Sequence, residues 1–102
     1  MKFDSEFIPR ICALEKIYTV RSSFKKEDFT MGCLRFRPVV VDFHFFFSFK
    51  IFLDSDFLNP IEFGFDTKAE MVGYYYKWFD KKRFKPWSRL YIYRLQLVGL
   101  KK

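Results

Sequence analysis

Hydrophobic and polar residues alternate most clearly in the middle of the chain. From Val39 to Leu53 every odd-numbered residue is apolar. Successive side chains of a strand point to opposite faces, so this period of two predicts a β-strand with its odd-numbered face in the core. Residues 54–56 have the composition of a turn, and the alternation resumes from Phe57 to Phe65. The pattern therefore predicts an antiparallel hairpin, in which Pro60 restricts the second strand to an edge or a bulge.

Shorter stretches have the spacing of helices. Near the amino terminus, apolar residues recur at steps of four, three and four positions: Phe7, Ile11, Leu14 and Tyr18. They predict a helix from about Ile8 to Tyr18. A second helix is predicted near Glu27 to Arg35, where two adjacent acidic residues suit a helix amino terminus. A third, Thr67 to Val72, is predicted to end at Gly73, because glycine suits a left-handed cap.

Leu90 to Val98 alternates again and predicts a further strand. The predicted fold is therefore α+β: a small single domain in which an antiparallel hairpin or a three-stranded sheet packs on short helices, with extended basic terminal segments. We expect residues 1–20 to form an amino-terminal extension with a short helix, residues 21–89 the main domain, and residues 90–102 a carboxyl-terminal extension.

Positive charge is concentrated near the end of the chain. The net charge of the 102 residues is +7, and residues 77–102 carry nine Lys or Arg against one acidic residue, whereas residues 38–76 carry two against six. This excess favours a polyanionic partner, either nucleic acid or an acidic membrane face. Aromatic residues make up 24% of the chain, more than one small core encloses, so some of them are expected to face a partner.

Residues that could carry chemistry are few. Cys12 and Cys33 are too isolated for a zinc cluster, and we expect two ordinary thiols in a reducing compartment. His44 is the only histidine and is expected to pack among phenylalanines. Four acidic residues of the predicted hairpin could bind a cation, but solvated side chains are the preferred interpretation: Asp54, Asp56, Glu62 and Asp66. We expect no enzyme activity, no cofactor, no metal and no small-molecule substrate.

No stretch has the length and composition of a signal peptide or a membrane span. Charged residues interrupt the amino terminus, and Val39–Leu53 is shorter than the roughly 20 residues that cross a bilayer. We therefore expect neither secretion nor a transmembrane helix. The chain has sixteen Phe, whose codons are thymine-rich, and few Ala, whose codons are GC-rich. A hypothesis that explains this skew is a thymine-biased coding strand, as in many organelle genomes.

Residues 74–89 interleave cations with large aromatic rings. Lys and Arg neutralise phosphates, and exposed rings stack on unpaired bases, so this composition indicates an RNA-binding surface. Structured RNA is recognised mainly by its shape, phosphates and 2′-hydroxyls. The charge argument assigns RNA contact to Lys26, Lys77, Lys81, Lys82, Lys85 and Arg89.

Two stretches resemble the universal small-subunit ribosomal protein number 19 family. Residues 21–29 are similar to the family's Arg-Ser-x-aromatic-Lys-Gly-Pro-Phe, with matches at Arg21, Ser22, Phe24 and Lys25 and with Lys26 and Glu27 in place of Gly and Pro. Residues 71–83 are similar to its signature Met-Val-Gly-His-Lys-Leu-Gly-Glu-Phe followed by Ala-Pro-Thr-Arg, with matches at Met71, Val72, Gly73, Phe79 and Arg83. The predicted order of basic arm, short helix, hairpin and signature also agrees with the family.

The resemblance implies a divergent, mitochondrial version of this family, located on ribosomes of the mitochondrial matrix. It implies a structural constituent of the small-subunit head that binds small-subunit ribosomal RNA and neighbouring proteins, including small-subunit protein number 13, with residues 21–89 as the RNA-binding domain. The positions that match the family's motifs are expected to contact RNA: Arg21, Ser22, Lys25, Gly73 and Arg83.

The alternative is an accessory subunit of an organellar membrane complex. Its Phe-rich face would lie against lipid or a hydrophobic neighbour, and its basic end on anionic headgroups. The ribosomal interpretation includes no membrane partner, so the two differ in the surface that the aromatic residues contact.

Overall fold

A four-stranded antiparallel sheet organises the computed structural model, which describes residues 1–100. The strands are β1 (Tyr18–Arg21), β2 (Phe29–Met31), β3 (Leu34–Phe45) and β4 (Arg89–Leu100), in the spatial order β1-β4-β3-β2. The helices are α1 (Ile8–Cys12), α2 (Phe46–Asp54) and α3 (Lys68–Lys82), with single 3₁₀ turns at Ser5–Phe7 and Ile61–Phe63. The predicted α+β class and small single domain are confirmed.

Strand β4 lies inside the sheet, between β1 and β3, and confirms the strand predicted at Leu90–Val98. It pairs with β3 from Leu34 opposite Leu100 to Phe45 opposite Arg89. The central position explains its apolar residues, because Leu90 and Ile92 are buried. Two register shifts interrupt the β3–β4 ladder, one of them between Val40 and Asp42.

The strand predicted from Val39 to Leu53 is correct only in its first half. Strand β3 ends at Phe45 and the chain turns directly into α2. The backbone N–H of Phe46 donates to the carbonyl of Ser88 at 2.7 Å, and that of Phe47 to the carbonyl of Pro86 at 3.2 Å. These bonds satisfy donors that the first turn of a helix leaves free. The predicted odd-numbered core face is wrong within the strand, where Val41, Phe43 and Phe45 are exposed. Phe49 and Leu53 are buried, but on a helix.

The prediction of a second hairpin strand at residues 57–65 is wrong. The side chain of Asn59 accepts the backbone N–H of Ile61 at 3.1 Å, and a 3₁₀ turn follows. Gly64 then adopts a left-handed conformation with φ of 97°. Local hydrogen bonds of this kind compete with a sheet ladder, so residues 57–65 form turns, and β3 pairs with β4 and β2 instead.

The three predicted helices have different outcomes. The first forms but ends at Cys12, and its predicted last residue, Tyr18, begins β1. The second is wrong, because residues 27–35 contain β2, a tight turn and the start of β3. Gly32 has φ of 63°, the positive value that a two-residue hairpin loop requires at its first position. The third does not end at Gly73 but continues to Lys82.

One hydrophobic core joins the sheet, the helices and the amino-terminal segment. It includes Phe7 and Ile11 from the first 20 residues, Tyr75 and Phe79 of α3, and Leu95 of β4. The segments predicted as terminal extensions therefore contribute to the same core as residues 21–89. The last two residues of the predicted carboxyl-terminal extension, 101 and 102, lie outside the described residues.

Candidate nucleic-acid interface

Exposed cations collect around the carboxyl end of α3 and the loop that leads into β4. Lys77, Lys81 and Lys82 are exposed on the helix, and the basic side chains at 83, 85 and 89 are exposed beyond it. The helix ends because Arg83 takes a left-handed conformation and its backbone N–H donates to the carbonyl of Phe79 at 2.8 Å. Cations in a last helical turn interact favourably with the partial negative charge of the free carbonyls. The local fold thus brings six of the predicted RNA-binding side chains together: Lys77, Lys81, Lys82, Arg83, Lys85 and Arg89. We call them the basic end.

Within residues 1–100 no cation of the basic end forms a salt bridge. The cations that do form one are Arg10, Arg35, Arg37, His44 (if protonated) and Lys68. Arg37, for example, lies 2.9 Å from Asp28 and lowers the pKa of that carboxyl through a hydrogen bond. The charge of the basic end is therefore not neutralised by the described part of the chain.

Most rings of residues 74–89 pack inward, which differs from the predicted stacking surface. Tyr75 and Phe79 are buried, and Phe84 packs against Trp78 with ring centroids 5.0 Å apart. Trp87 is the exception, because 66% of its surface is exposed. The ammonium of Lys85 lies over its ring, 5.5 Å from the centroid, in a cation–π contact.

Two exposed rings that the sequence analysis placed in the core lie beside the basic end. Phe45 is opposite Arg89 in the β3–β4 ladder, and Phe47 is bonded through its backbone to Pro86. Their exposed fractions are 39% and 55%. Val41 and Phe43, earlier in β3, are exposed as well, so the exposed surface runs from the strand into the first turn of α2. The uninterrupted alternation along the chain gave no signal of that turn.

The predicted contacts of the first motif lie on the loop that follows β1. Ser22, Lys25 and Lys26 are exposed there, and the Lys25 backbone N–H donates to the hydroxyl of Tyr93 at 2.6 Å. Because β1 ends with Arg21 opposite Tyr91, two residues from Arg89, this loop starts at the end of the sheet where the basic end lies. The fold therefore places both predicted groups at one end of the sheet.

Arg21 itself does not face outward with that loop. Its guanidinium donates to the carbonyl of Lys2 at 2.8 Å and to that of Val20 at 3.0 Å, and it lies 4.9 Å from the centre of the Phe3 ring. Gly73, the other motif residue away from the end of α3, is exposed one turn before Lys77. Arg21 is thus separated from the other predicted contacts by its inward orientation.

The residues considered for catalysis and metal binding have ordinary partners. His44 lies 2.8 Å from Asp42 and stacks on Phe52 with ring centroids 4.9 Å apart. Among the acidic residues, Asp56 pairs with Lys68 at 2.8 Å, and Asp54 and Asp66 also have bonded partners. Across residues 1–100 no group of three or more His, Cys, Asp or Glu could hold a metal ion. Cys12 and Cys33 are free thiols.

No known protein family, curated protein or solved structure matches this chain. None of the helices formed by the described residues is long and apolar enough to cross a membrane.

Proposed function

We propose that this protein binds RNA through the basic end and the loop after β1. The observation that carries the proposal is the group of exposed cations at the end of α3, which form no salt bridge in residues 1–100. Phosphates that replace the counterions of such a group release those counterions, and this release is the main source of affinity for nucleic acid. Trp87 and Phe47 add exposed rings on which unpaired bases can stack.

The narrower proposal is that the RNA is small-subunit ribosomal RNA and that the protein is a structural constituent of a mitochondrial small subunit. Its support is the set of residue matches to ribosomal protein number 19 described above, at residues 21–25 and 71–83. The predicted helix and hairpin between the two motifs did not form, so their order no longer adds support. The role proposed is to neutralise phosphates where RNA segments converge, without a chemical reaction.

The proposal is tested by reversing three charges at once, Lys81→Glu, Lys82→Glu and Arg83→Glu. These side chains are exposed, so the variant should stay folded, with an unfolding temperature lowered only modestly by the loss of favourable charges at the end of the helix. Its affinity for bacterial small-subunit ribosomal RNA should fall by about 100-fold or more at moderate salt. Fluorescence anisotropy with labelled RNA measures the affinity, and circular dichroism checks the fold.

The control is Arg94→Glu, which reverses an exposed cation in the middle of β4. It should retain most of the RNA affinity. If the triple variant binds RNA as well as the unsubstituted protein does, the basic end is not the binding site. If the unsubstituted protein does not bind RNA, the function proposed is wrong.

A second candidate function is docking to an anionic membrane surface, as in the accessory-subunit alternative. It is favoured by apolar side chains left exposed on and beside α2: Phe47 at 55%, Ile51 at 70% and Phe57 at 81%. Exposed apolar patches of this kind commonly mark interaction surfaces. Two results together would select this candidate. The protein should float with anionic vesicles and lose this property in the variant with Phe47→Ser and Ile51→Ser, and it should not bind RNA.

A further inference from the structure

A cavity of about 350 Å³ lies between the amino-terminal segment, the end of β1 and α3. Its volume is within the range of small-molecule sites. Twelve residues line it, among them the exposed Lys2, the inward-facing cations Lys16 and Arg21, and six aromatic side chains: Phe3, Phe7, Phe65, Tyr74, Tyr75 and Trp78. No residue of the basic end lines the cavity, and Arg21 is the only matched motif position on its wall.

Lys16 is buried, with only 3% of its surface exposed, and has no acidic partner in the described part of the chain. Its ammonium donates to the carbonyl of Phe63 at 2.6 Å and to that of Tyr18 at 2.8 Å. An ammonium has three N–H groups, so one has no hydrogen-bond acceptor, and the Phe7 ring lies 4.8 Å from the nitrogen in a cation–π contact. Buried charges are normally paired, which makes this arrangement unusual.

Arg21 adds a second positive charge to the same wall. Two of its N–H groups are used by backbone carbonyls, which leaves three of the five that a guanidinium carries. Burial and the neighbouring charge of Arg21 together lower the pKa of Lys16 to about 7, so the two cations oppose each other. Asp4 also lines the cavity, but its carboxylate accepts the hydroxyl of Tyr74 at 2.7 Å and forms no salt bridge with either cation.

An anion between Lys16 and Arg21 would remove their repulsion and use the N–H groups that remain. A phosphate monoester carries about −1.5 to −2 charge at neutral pH, which matches two cations better than a carboxylate does. The cavity is much larger than a phosphate, and its other walls are the rings of Tyr74, Tyr75 and Trp78. Such walls fit a flat, ring-containing body attached to the phosphate.

We propose that this cavity binds a small phosphorylated ligand of the nucleotide class, with its phosphate between Lys16 and Arg21 and its ring against the aromatic wall. The site does not depend on RNA binding at the basic end. A mononucleotide free in solution and the terminal nucleotide of a longer chain share this chemistry, and comparing the two as ligands distinguishes them.

The test uses the fluorescence of Trp78 in the full chain, with Trp87→Phe so that one tryptophan remains. Uridine 5′-monophosphate should change the signal saturably. Uridine and inorganic phosphate should each bind at least about tenfold more weakly, because uridine lacks the phosphate and inorganic phosphate lacks the ring. A short oligouridylate with a 5′-phosphate that binds more tightly than the monophosphate would identify a chain terminus as the ligand.

The variant is Arg21→Gln, and its matched control is Arg89→Gln at the basic end. Arg21→Gln should weaken binding of the monophosphate by about tenfold or more, and Arg89→Gln should leave the affinity for the monophosphate unchanged. In the unsubstituted protein, the monophosphate should also slow acetylation of Lys16, which mass spectrometry measures. This measurement does not depend on the folding of a variant. The triple variant Lys81→Glu, Lys82→Glu and Arg83→Glu should bind the monophosphate with unchanged affinity. Failure of the RNA proposal can therefore be distinguished from failure of this one.

The proposal is overturned if the monophosphate gives no saturable change up to about 10 mM, a concentration beyond that of weak specific binding. It is also overturned if Arg21→Gln and Arg89→Gln have equal effects, or if acetylation of Lys16 is not slowed. Equal affinities for phosphate and the monophosphate would overturn the part that concerns the ring.

Discussion

Lys16 shows at the scale of a single residue how burial makes stability depend on pH. Its pKa is lowered from 10.5 to about 7, by burial first and by the charge of Arg21 second. Between these two values the unfolded chain holds a proton that the folded chain releases. Stability from this residue therefore rises as pH increases from about 7 to about 10.5, and the full cost of burying the charge is present below pH 7. Other charged groups on the cavity wall are Arg21, Lys2 and Asp4.

Replacing Lys16 by Met should remove this dependence. The free energy of unfolding of the unsubstituted protein should rise relative to Lys16→Met by about 1.4 kcal/mol per pH unit over this range. Loss of the two carbonyl hydrogen bonds adds an offset that does not depend on pH. Denaturant unfolding at several pH values from 7 to 10 measures the difference. The exposed Lys77→Met is the control, and parallel curves for Lys16→Met and the unsubstituted protein would contradict the prediction.

Gly64 is a second residue whose surroundings affect the free energy of unfolding. Its φ of 97° is left-handed, and a Cβ there would lie 2.9 Å from the Cδ of Lys16 and 3.0 Å from the Phe7 ring. Strain and crowding both oppose a side chain, so Gly64→Ala should destabilise the protein by about 2 to 3 kcal/mol. Thermal or denaturant unfolding measures this, and a loss below about 0.5 kcal/mol, the range of an ordinary surface substitution, would show that the turn adapts freely.

At the scale of elements, α3 gives the opposite prediction for a glycine. Gly73 lies inside the helix, is exposed, and a Cβ there would meet no atom within 4 Å. Alanine at this position should stabilise the protein by about 0.5 to 1 kcal/mol, because glycine is a poor helix former. The same unfolding measurement applies to Gly73→Ala. Destabilisation would contradict a continuous helix through this residue, and normal stability with weakened RNA binding would indicate that Gly73 is itself a contact.

The errors of the sequence analysis arise mostly at the boundaries between elements. Phe49 and Leu53 are four residues apart, a spacing that puts both on one face of a strand and equally on one face of a helix. The alternation therefore could not show that the strand stops at Phe45. Hydrogen bonds from Phe46 and Phe47 to a loop 40 residues later decide that boundary, and a local pattern does not contain them.

Helix α3 was underestimated for a reason visible in the sequence. Met71, Tyr75 and Phe79 recur every four residues and are buried on one face, so the apolar period passes through Gly73 without a break. The helix begins as predicted, with Thr67 accepting the backbone N–H of Glu70 at 3.2 Å. In contrast, β4 was predicted correctly, because a fully paired strand in the sheet retains its alternation along most of its length.

The site was predictable to a similar extent. Five residues of the basic end were predicted from charge and Arg83 from the family resemblance, and all six side chains are exposed. Lys16 was missed, because one lysine among apolar and charged neighbours has no pattern that marks it as buried. The inward orientation of Arg21 was missed for the same reason, as it depends on the carbonyl of Lys2, a contact between distant parts of the chain.

At the scale of the whole molecule, the distribution of charge predicts how the proposed RNA binding should respond to salt. Four Lys or Arg side chains elsewhere in residues 1–100 pair with acidic residues, whereas the cations of the basic end form no salt bridge. Each phosphate neutralised adds about 0.7 to 0.9 to the slope of log affinity against log salt. Removing one cation that contacts phosphate should therefore reduce this slope by about 1, and reversing it by more.

Arg89 and Arg94 allow this prediction to be tested within one strand. Both are exposed arginines of β4, but Arg89 opens the strand at the basic end and Arg94 lies opposite Tyr18 and Val39 in the middle of the sheet. Anisotropy titrations with labelled ribosomal RNA over a range of salt concentrations give the slope for each variant. Arg89→Glu should lower it by about 1 or more, and Arg94→Glu should leave it nearly unchanged. Equal slopes for the two variants would mean that the affinity for RNA depends on net charge alone. If the contact surface is localised at the basic end, the arginine at that end must affect the slope more than the arginine away from it.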